Sequence, residues 1–195
     1  MELLKQIERH GLAKHSAFIQ KHALVCIRFS AELVKEESLA VGTSKYGGLP
    51  DVPEGFEWPT IQSYPMTHLA QINCSEISRL VKTEKFPSSG MLNFFVQTDE
   101  EGYIEIENGD EKTWLVIHND FDSLQRMELP EDSEFYYNAR QLTFRDGLSL
   151  PDTYDEPFAG FSETDMESYQ ELQNELGGHE HQLFGHPAII QGRRI

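Results

Sequence analysis

The sequence predicts an α+β fold: a mostly antiparallel or mixed β-sheet with an N-terminal helix and a few short helices. Three observations lead to this fold class. Several short apolar runs are rich in β-branched and aromatic residues, which favour strands. One segment, 103–107, alternates apolar and acidic residues before Asn108-Gly109, a typical hairpin turn. Helical spacing of apolar residues is clearest near the two ends of the chain. With 195 residues, the chain is long enough to bury roughly 70 % of its unfolded surface.

The strand predictions extend through most of the chain. The predicted strands are 23–29, 66–72, 91–97, 103–107, 113–118, 135–137 and 141–144. Because 91–97 is apolar at nearly every position, we expect it to be covered on both faces. The run from 91 to 118 indicates a meander. The last strand is expected to end at Asp146-Gly147, a turn signal, and to be followed by a loop over 148–157.

Helices are predicted at both ends and once in the middle. Residues 1–22 favour an amphipathic helix interrupted at Gly11. Asn73 or Ser75 can cap a short central helix, because either side chain can accept a hydrogen bond from a free backbone N–H. Capping residues and early acids begin another helix at residue 162, before Gly177-Gly178. Its expected buried face comprises Tyr169, Leu172 and Leu176.

The stretch 44–59 is the most unusual loop of the sequence. It holds two adjacent glycines and three prolines, a composition that suits neither a helix nor an inner strand. Aromatic side chains on a stiff loop lose little entropy when they bind, so this loop is a candidate for contacting a ligand or partner. The simpler explanation is that the aromatic side chains fill the core, because Phe and Trp are usually buried. The candidate binding residues are Tyr46, Gly47, Gly48, Phe56, Trp58 and Tyr64.

The negative charge is concentrated in one part of the chain. Residues 99–171 hold 21 Asp or Glu against four Lys or Arg, which accounts for the whole net charge of −17. Such a surface repels phosphate backbones and anionic membranes, so we expect neither nucleic acid nor a membrane as a partner. It favours a basic protein partner, although a solvated acidic face is the simpler explanation.

The compartment is predicted from the cysteines and the N-terminus. Cys26 and Cys74 lie in apolar runs without a close pairing pattern, as expected of reduced, buried thiols. Residues 1–20 lack a signal-peptide core, and no run approaches about 18 apolar residues. These features predict a cytoplasmic protein.

Six short motifs follow one another along the chain. They are Lys45-Tyr46-Gly47-Gly48-Leu49-Pro50, Trp58-Pro59, Leu69-Ala70-Gln71-Ile72-Asn73, Gly90-Met91-Leu92-Asn93-Phe94-Phe95, Leu148-Ser149-Leu150-Pro151 and His181-Gln182-Leu183-Phe184-Gly185. In this order they resemble the YwqG-like family of bacterial proteins. The resemblance spans about 24–191. It implies a mixed α/β fold with internally similar halves and no established activity.

The resemblance also bears on domain organisation. Residues 48–55 and 185–192 share the pattern G-x-P-x-[VI]-x-x-G, which indicates either an internal duplication or a chance match. Family members usually continue beyond the His-Gln-Leu motif, so we expect a shortened second half and some tendency to self-associate. The expectation is a single domain, 1–195, with a helix at 1–22, a strand-rich body at 23–160, and a helix and second repeat beginning at 161–195.

The sequence predicts no catalytic residue, metal or cofactor. His179, Glu180, His181 and His186 are close in sequence, but a linear histidine run is more typical of a polar loop than of a zinc site. The common hydrolase, metalloprotease and nucleotide-binding motifs are missing. Three hypotheses remain: a binding protein with an acidic surface, such as an immunity-type inhibitor; an enzyme or small-ligand binder with a pocket under the 44–59 loop; and a structural remnant.

Overall fold

The computed structural model describes residues 2–84, 86–99, 101–104, 113–120, 123–133, 135–153, 158–178 and 180–187. The chain divides into two units. The first unit comprises Met1–Phe29 and Phe144–Ile195, and the second comprises Ser30–Thr143.

The described residues form the following elements. The helices are α1 (Glu2–Arg9), α2 (Ser16–His22), α3 (Cys74–Leu80) and α4 (Glu163–Glu175), with 3₁₀ turns at Ala13–His15 and Glu36–Ser38. The strands are β1 (Leu24–Leu33), β2 (Lys45–Tyr46), β3 (Asp51–Pro53), β4 (Thr60–Ile61), β5 (Tyr64–Pro65), β6 (Thr67–Asn73), β7 (Met91–Val96), β8 (Trp114–Asn119), β9 (Leu124–Arg126), β10 (Arg140–Ser149) and β11 (His181–Phe184).

Seven of these strands form the main sheet. The strand order is β11–β1–β10 in the first unit and β10–β2–β6–β7–β8 in the second, where β6, β7 and β8 are antiparallel neighbours. The meander over 91–118 stays a prediction, because most of its middle strand lies outside the described residues. Two further pairs, β3–β9 and β4–β5, are antiparallel ribbons. The α+β prediction is confirmed.

The first unit packs its helices around one apolar cluster. Its buried members are Ile7, Leu12, Ile19, Leu150, Tyr169 and Leu172. The N-terminal helix is interrupted as expected, because Gly11 takes a φ of +72° between α1 and the 3₁₀ turn. At the start of α4, Ser162 and Asp165 form a reciprocal capping box. Local sequence therefore determines where the N-terminal helix is interrupted and where α4 begins.

The second unit confirms the central helix and its cap. The Asn73 side chain accepts a hydrogen bond from the backbone N–H of Ser75 at 3.0 Å and so begins α3. The strand prediction for 91–97 is confirmed by β7, in which every side chain is buried or half-buried. The predicted strand at 103–107 lies outside the described residues beyond residue 104.

Three local predictions are wrong. Residues 135–137 form no strand, because the backbone oxygen of Tyr137 instead accepts the N–H of Gly48 at 2.8 Å. The 44–59 stretch does contain an inner strand, since β2 lies between β10 and β6. Asp146-Gly147 is no turn, because β10 continues through it. A Cβ at Gly147 would lie 3.0 Å from Cγ of Arg28, so the glycine makes room for this side chain.

Two glycines of the 44–59 loop provide a matched test of its packing. A Cβ at Gly47 would lie 2.7 Å from the backbone oxygen of Asn138, whereas a Cβ at Gly55 would have no neighbour within 4 Å. Both positions have positive φ, so each Ala substitution carries a backbone strain of about 1 kcal/mol. We expect Gly47→Ala to lower the free energy of unfolding by about 3 kcal/mol and Gly55→Ala by about 1, measured by urea denaturation. Equal losses would show that the backbone at Asn138 moves aside freely.

Candidate functional site

The glycine pair and its neighbouring tyrosine are packed into the second unit. Gly47 and Gly48 are buried with φ of +65° and +68°, and Gly47 donates its N–H to the backbone oxygen of Leu69 at 2.7 Å. The half-buried ring of Tyr46 lies 5.5 Å from that of Tyr137. The positive φ values let the backbone approach its neighbours closely, which is a structural use of glycine.

The next two aromatic candidates lie over the buried ring of Phe95 on β7. The rings of Phe56 and Trp58 are 6.2 and 5.7 Å from it, and both side chains are half-buried. The indole Nε1 of Trp58 donates to the backbone oxygen of Met66 at 2.8 Å. These contacts place the aromatic side chains of the loop against the core. This agrees with the alternative from the sequence in which they fill the core.

Tyr64 differs from the other five candidates because 63 % of the residue is exposed. It lines a cavity of about 290 Å³ in the second unit, together with Gln62, Gln97, Asp99 and Asp132. A binding role for Tyr64 and the other five residues stays a prediction.

A cluster of four charged side chains joins the 44–59 loop to neighbouring parts of the second unit. We call Glu36, Lys45, Asp51 and Arg126 the charge cluster. Nζ of Lys45, which is fully buried, lies 2.6 Å from Oε1 of Glu36 and 3.9 Å from Oδ1 of Asp51. Nε of Arg126 lies 2.9 Å from Oδ1 of Asp51. Two cations therefore balance two carboxylates in a largely water-free site.

The surroundings of Asp51 in the charge cluster keep its carboxylate ionised. Burial alone would raise the pKa of Asp51, but hydrogen bonds from Arg126, Gly42 and Gln71 and the charge of Lys45 together lower it. Burial lowers the pKa of Lys45, partly opposed by Glu36 and Asp51. Because these groups satisfy one another, the cluster is suited to holding the loop rather than to binding a ligand.

His68 lies next to this cluster and is held neutral. Its Nδ1 lies 3.0 Å from the backbone oxygen of Gly48 and must donate, because a carbonyl can only accept. Burial lowers the pKa of His68 to about 4. Asn93 is close enough to influence that pKa, but Nε2 of His68 and both side-chain polar atoms of Asn93 have no hydrogen-bond partner of regular geometry in the described part of the chain.

The first unit contains a larger cavity that the sequence analysis did not predict. This first-unit cavity has a volume of about 670 Å³. Its polar lining side chains include Arg28, Ser149, Asp152, Gln173, Gln182 and His186. The available signal was a single arginine inside the apolar strand at 23–29. Its significance depends on β11, which brings Gln182 opposite Arg28 in antiparallel register.

The histidines considered as zinc ligands do not converge in the described part of the chain. The ring of His181 stacks on that of Phe29 at 5.3 Å, and Nε2 of His186 donates to the backbone oxygen of His22 at 2.8 Å. His179 lies outside the described residues. Among those that are described, no group of three or more His, Cys, Asp or Glu residues is placed to hold a metal ion.

The chain belongs to a family described as a domain of unknown function (DUF1963), whose sequence model matches residues 44–195. No curated protein matches the chain. In the part of the chain that the structure describes, no helix combines the length and apolar character needed to cross a membrane.

The burial of His68 predicts a pH-dependent stability. As the pH falls, the unfolded chain takes up a proton near its ordinary pKa of 6.5, whereas folded His68 does so only near about 4. The contribution of neutral His68 to the free energy of unfolding is therefore fully present above about pH 6.5. This contribution, about 3 kcal/mol, disappears as the pH falls to about 4.

We expect His68→Asn, which keeps a side-chain donor for Gly48, to remove that part of the pH dependence. The measurement is urea denaturation of the wild-type protein and the variant at several pH values. The difference between their free energies of unfolding cancels the titration of all other groups. Parallel stability profiles would contradict a neutral, buried His68.

Proposed function

We propose that this member of a family of unknown function is a binding protein for a small molecule, and that its binding site is the first-unit cavity. The observation that supports this most is the cavity itself, because its volume of about 670 Å³ lies in the usual range for ligand sites. The proposal keeps the small-ligand hypothesis from the sequence but moves the site away from the 44–59 loop.

The walls of the cavity are held in place before any ligand binds. Nε2 of Gln173 on α4 donates to the backbone oxygen of Pro151 at 2.9 Å, and the backbone N–H of His186 donates to Oγ of Ser149 at 3.0 Å. Phe184 and Gly185 both take positive φ, which bends the chain at the end of β11. Strained backbone of this kind is frequent at binding sites, and a preformed wall reduces the entropy lost on binding.

Binding is a better proposal than catalysis for this cavity. Ser149, Asp152 and His186 all line it, a set that suggests a hydrolytic triad. However, Nε2 of His186 is engaged by the backbone of His22, and the described contact between Ser149 and His186 uses the backbone N–H rather than the ring. A serine nucleophile needs a ring nitrogen as its base, so this arrangement does not support one.

A matched pair of variants tests the cavity. Asn174 lines it from the exposed side of α4, so Asn174→Trp should fill the cavity while Asn174→Ala leaves it open. We expect compounds from a metabolite set to raise the Tm of the wild-type protein and of Asn174→Ala, and to lose this effect in Asn174→Trp, because a ligand at 100 times its Kd stabilises by about 2.7 kcal/mol. Stabilisation of all three proteins alike, or of none, would contradict the proposal.

We also propose YwqG-like membership and a cytoplasmic location. YwqG-like membership is supported by the order of the six motifs along the chain, five of which lie wholly after residue 57. The second is supported by Cys26 and Cys74, which are both free and buried, because a reducing compartment keeps thiols in that form.

A second candidate function is binding of a basic protein by the acidic segment 99–171. Arg126 and Arg145 of this segment form ion pairs with carboxylates outside it, so they do not neutralise its own acids. Exposed carboxylates of the second unit include Glu101, Asp120, Glu128, Glu131 and Asp132.

The salt dependence of partner capture tests this second candidate. We expect a partner to be retained at low salt and released at high salt, since exposed charges are screened. The triple variant Glu128→Gln, Glu131→Gln and Asp132→Asn should retain less of it. A partner that is indifferent to both changes would contradict the electrostatic role.

A further inference from the structure

We propose that the first-unit cavity binds a small molecule through one anionic group, a carboxylate or a phosphate, which pairs with Arg28. This inference rests on the proposed function, because it names the chemical class of the ligand for the same cavity. The reasons are the burial of Arg28, the lack of a counter-ion among the described residues and its place in the cavity wall.

Arg28 is buried and has few partners. Only 3 % of the residue is exposed, and the guanidinium makes one described hydrogen bond, from Nη2 to the backbone oxygen of Leu148 at 3.1 Å. Its Nε is buried and has no hydrogen-bond partner among the residues that the structure describes. No ion pair joins Arg28 to a carboxylate within the described ranges.

The buried cations of the second unit behave differently. Lys45 is fully buried and Arg126 is largely so, and both pair with Glu36 and Asp51. This pairing is the rule for buried charges, because the loss of hydration is severe unless an opposite charge and hydrogen bonds replace it. Within the described part of the first unit, Arg28 departs from that rule beside a cavity, so an anion that enters the cavity would supply a partner.

The local backbone positions Arg28 for this contact. It lies on β1 opposite Gln182 of β11, and its side chain passes over Gly147, where a Cβ would lie 3.0 Å from Cγ and 3.7 Å from Nε of the arginine. The unused donors of a guanidinium form a planar fork that matches carboxylate and phosphate oxygens. A lysine would offer a point charge without that fork.

The acids of the cavity limit the ligand to few negative charges. Glu180 lines the cavity but already pairs with Arg145 at 2.7 Å. Asp152 also lines it and accepts a hydrogen bond from the hydroxyl of Thr153 at 3.4 Å. A ligand with one anionic group gains the contact with Arg28 without several repulsive contacts with Asp152.

The test uses the full chain and simple probes in a chloride buffer. The probes are inorganic phosphate, acetate, lactate and benzoate, with acetamide, lactamide and benzamide as neutral counterparts. Binding is measured by the shift in Tm and by calorimetry on the wild-type protein, Arg28→Met, Arg28→Lys and Arg9→Met. The last variant removes the same charge from an exposed site in the same unit, where the paired carboxylate, Glu175, does not line the cavity.

We expect at least one acid or phosphate to bind the wild-type protein and Arg9→Met, and to bind Arg28→Met at least tenfold more weakly, with Arg28→Lys between them. Neutral counterparts should not bind. Preference for carboxylates or for phosphate identifies the anionic group. If Arg28→Met does not fold, the comparison of acids with amides on the wild-type protein still decides the question.

Two results would overturn the inference in distinguishable ways. Equal binding of acids and amides, unchanged in Arg28→Met but lost in Asn174→Trp, would disprove the anionic class and leave the small-molecule site in place. Failure of every probe and of the metabolite set to bind at the cavity would disprove both.

Discussion

The fold of the second unit depends on a single buried carboxylate. Asp51 accepts hydrogen bonds from the backbone of Gly42 at 2.9 Å, from Gln71 at 2.7 Å and from Arg126 at 2.9 Å. These partners belong to the segment before β2 and to strands β6 and β9, so one side chain joins three parts of the chain to β3. Removing one partner from such a buried pair typically costs about 3–5 kcal/mol, because the remaining charge stays buried. The position of the 44–59 loop is therefore tightly constrained.

This constraint changes the interpretation of the motif at 45–50. Lys45 supplies a buried cation, and Gly48 keeps the backbone close to His68 and to Tyr137. The aromatic residues that follow lie over Phe95 of the sheet. Each of these residues has a structural task, which explains the unusual composition without a ligand. The sequence supports both interpretations because glycine, proline and aromatic residues serve packed loops and binding loops alike.

Local sequence predicted what local physics determines. The cap at Asn73, the helix interruption at Gly11 and the α4 boundary depend on groups a few residues apart. The errors have the opposite character. The backbone of Tyr137 pairs with the Gly48 loop, and Gly147 makes room for Arg28, 119 positions earlier in the chain. The pairing of Asp51 with Arg126 spans 75 positions. No periodicity or turn signal carries such information.

The candidate cavity was missed for the same reason, and the rule that explains the second unit also identifies it. A buried cationic side chain needs a carboxylate partner, and in the second unit the chain itself supplies one to Lys45 and to Arg126. In the first unit the strand pairing buries Arg28 beside an open volume, while the neighbouring acid Glu180 is paired with Arg145. If the charge of Arg28 served stability alone, an apolar side chain of similar volume would serve at least as well. An arginine at this position is therefore better explained by what enters the cavity than by the packing around it.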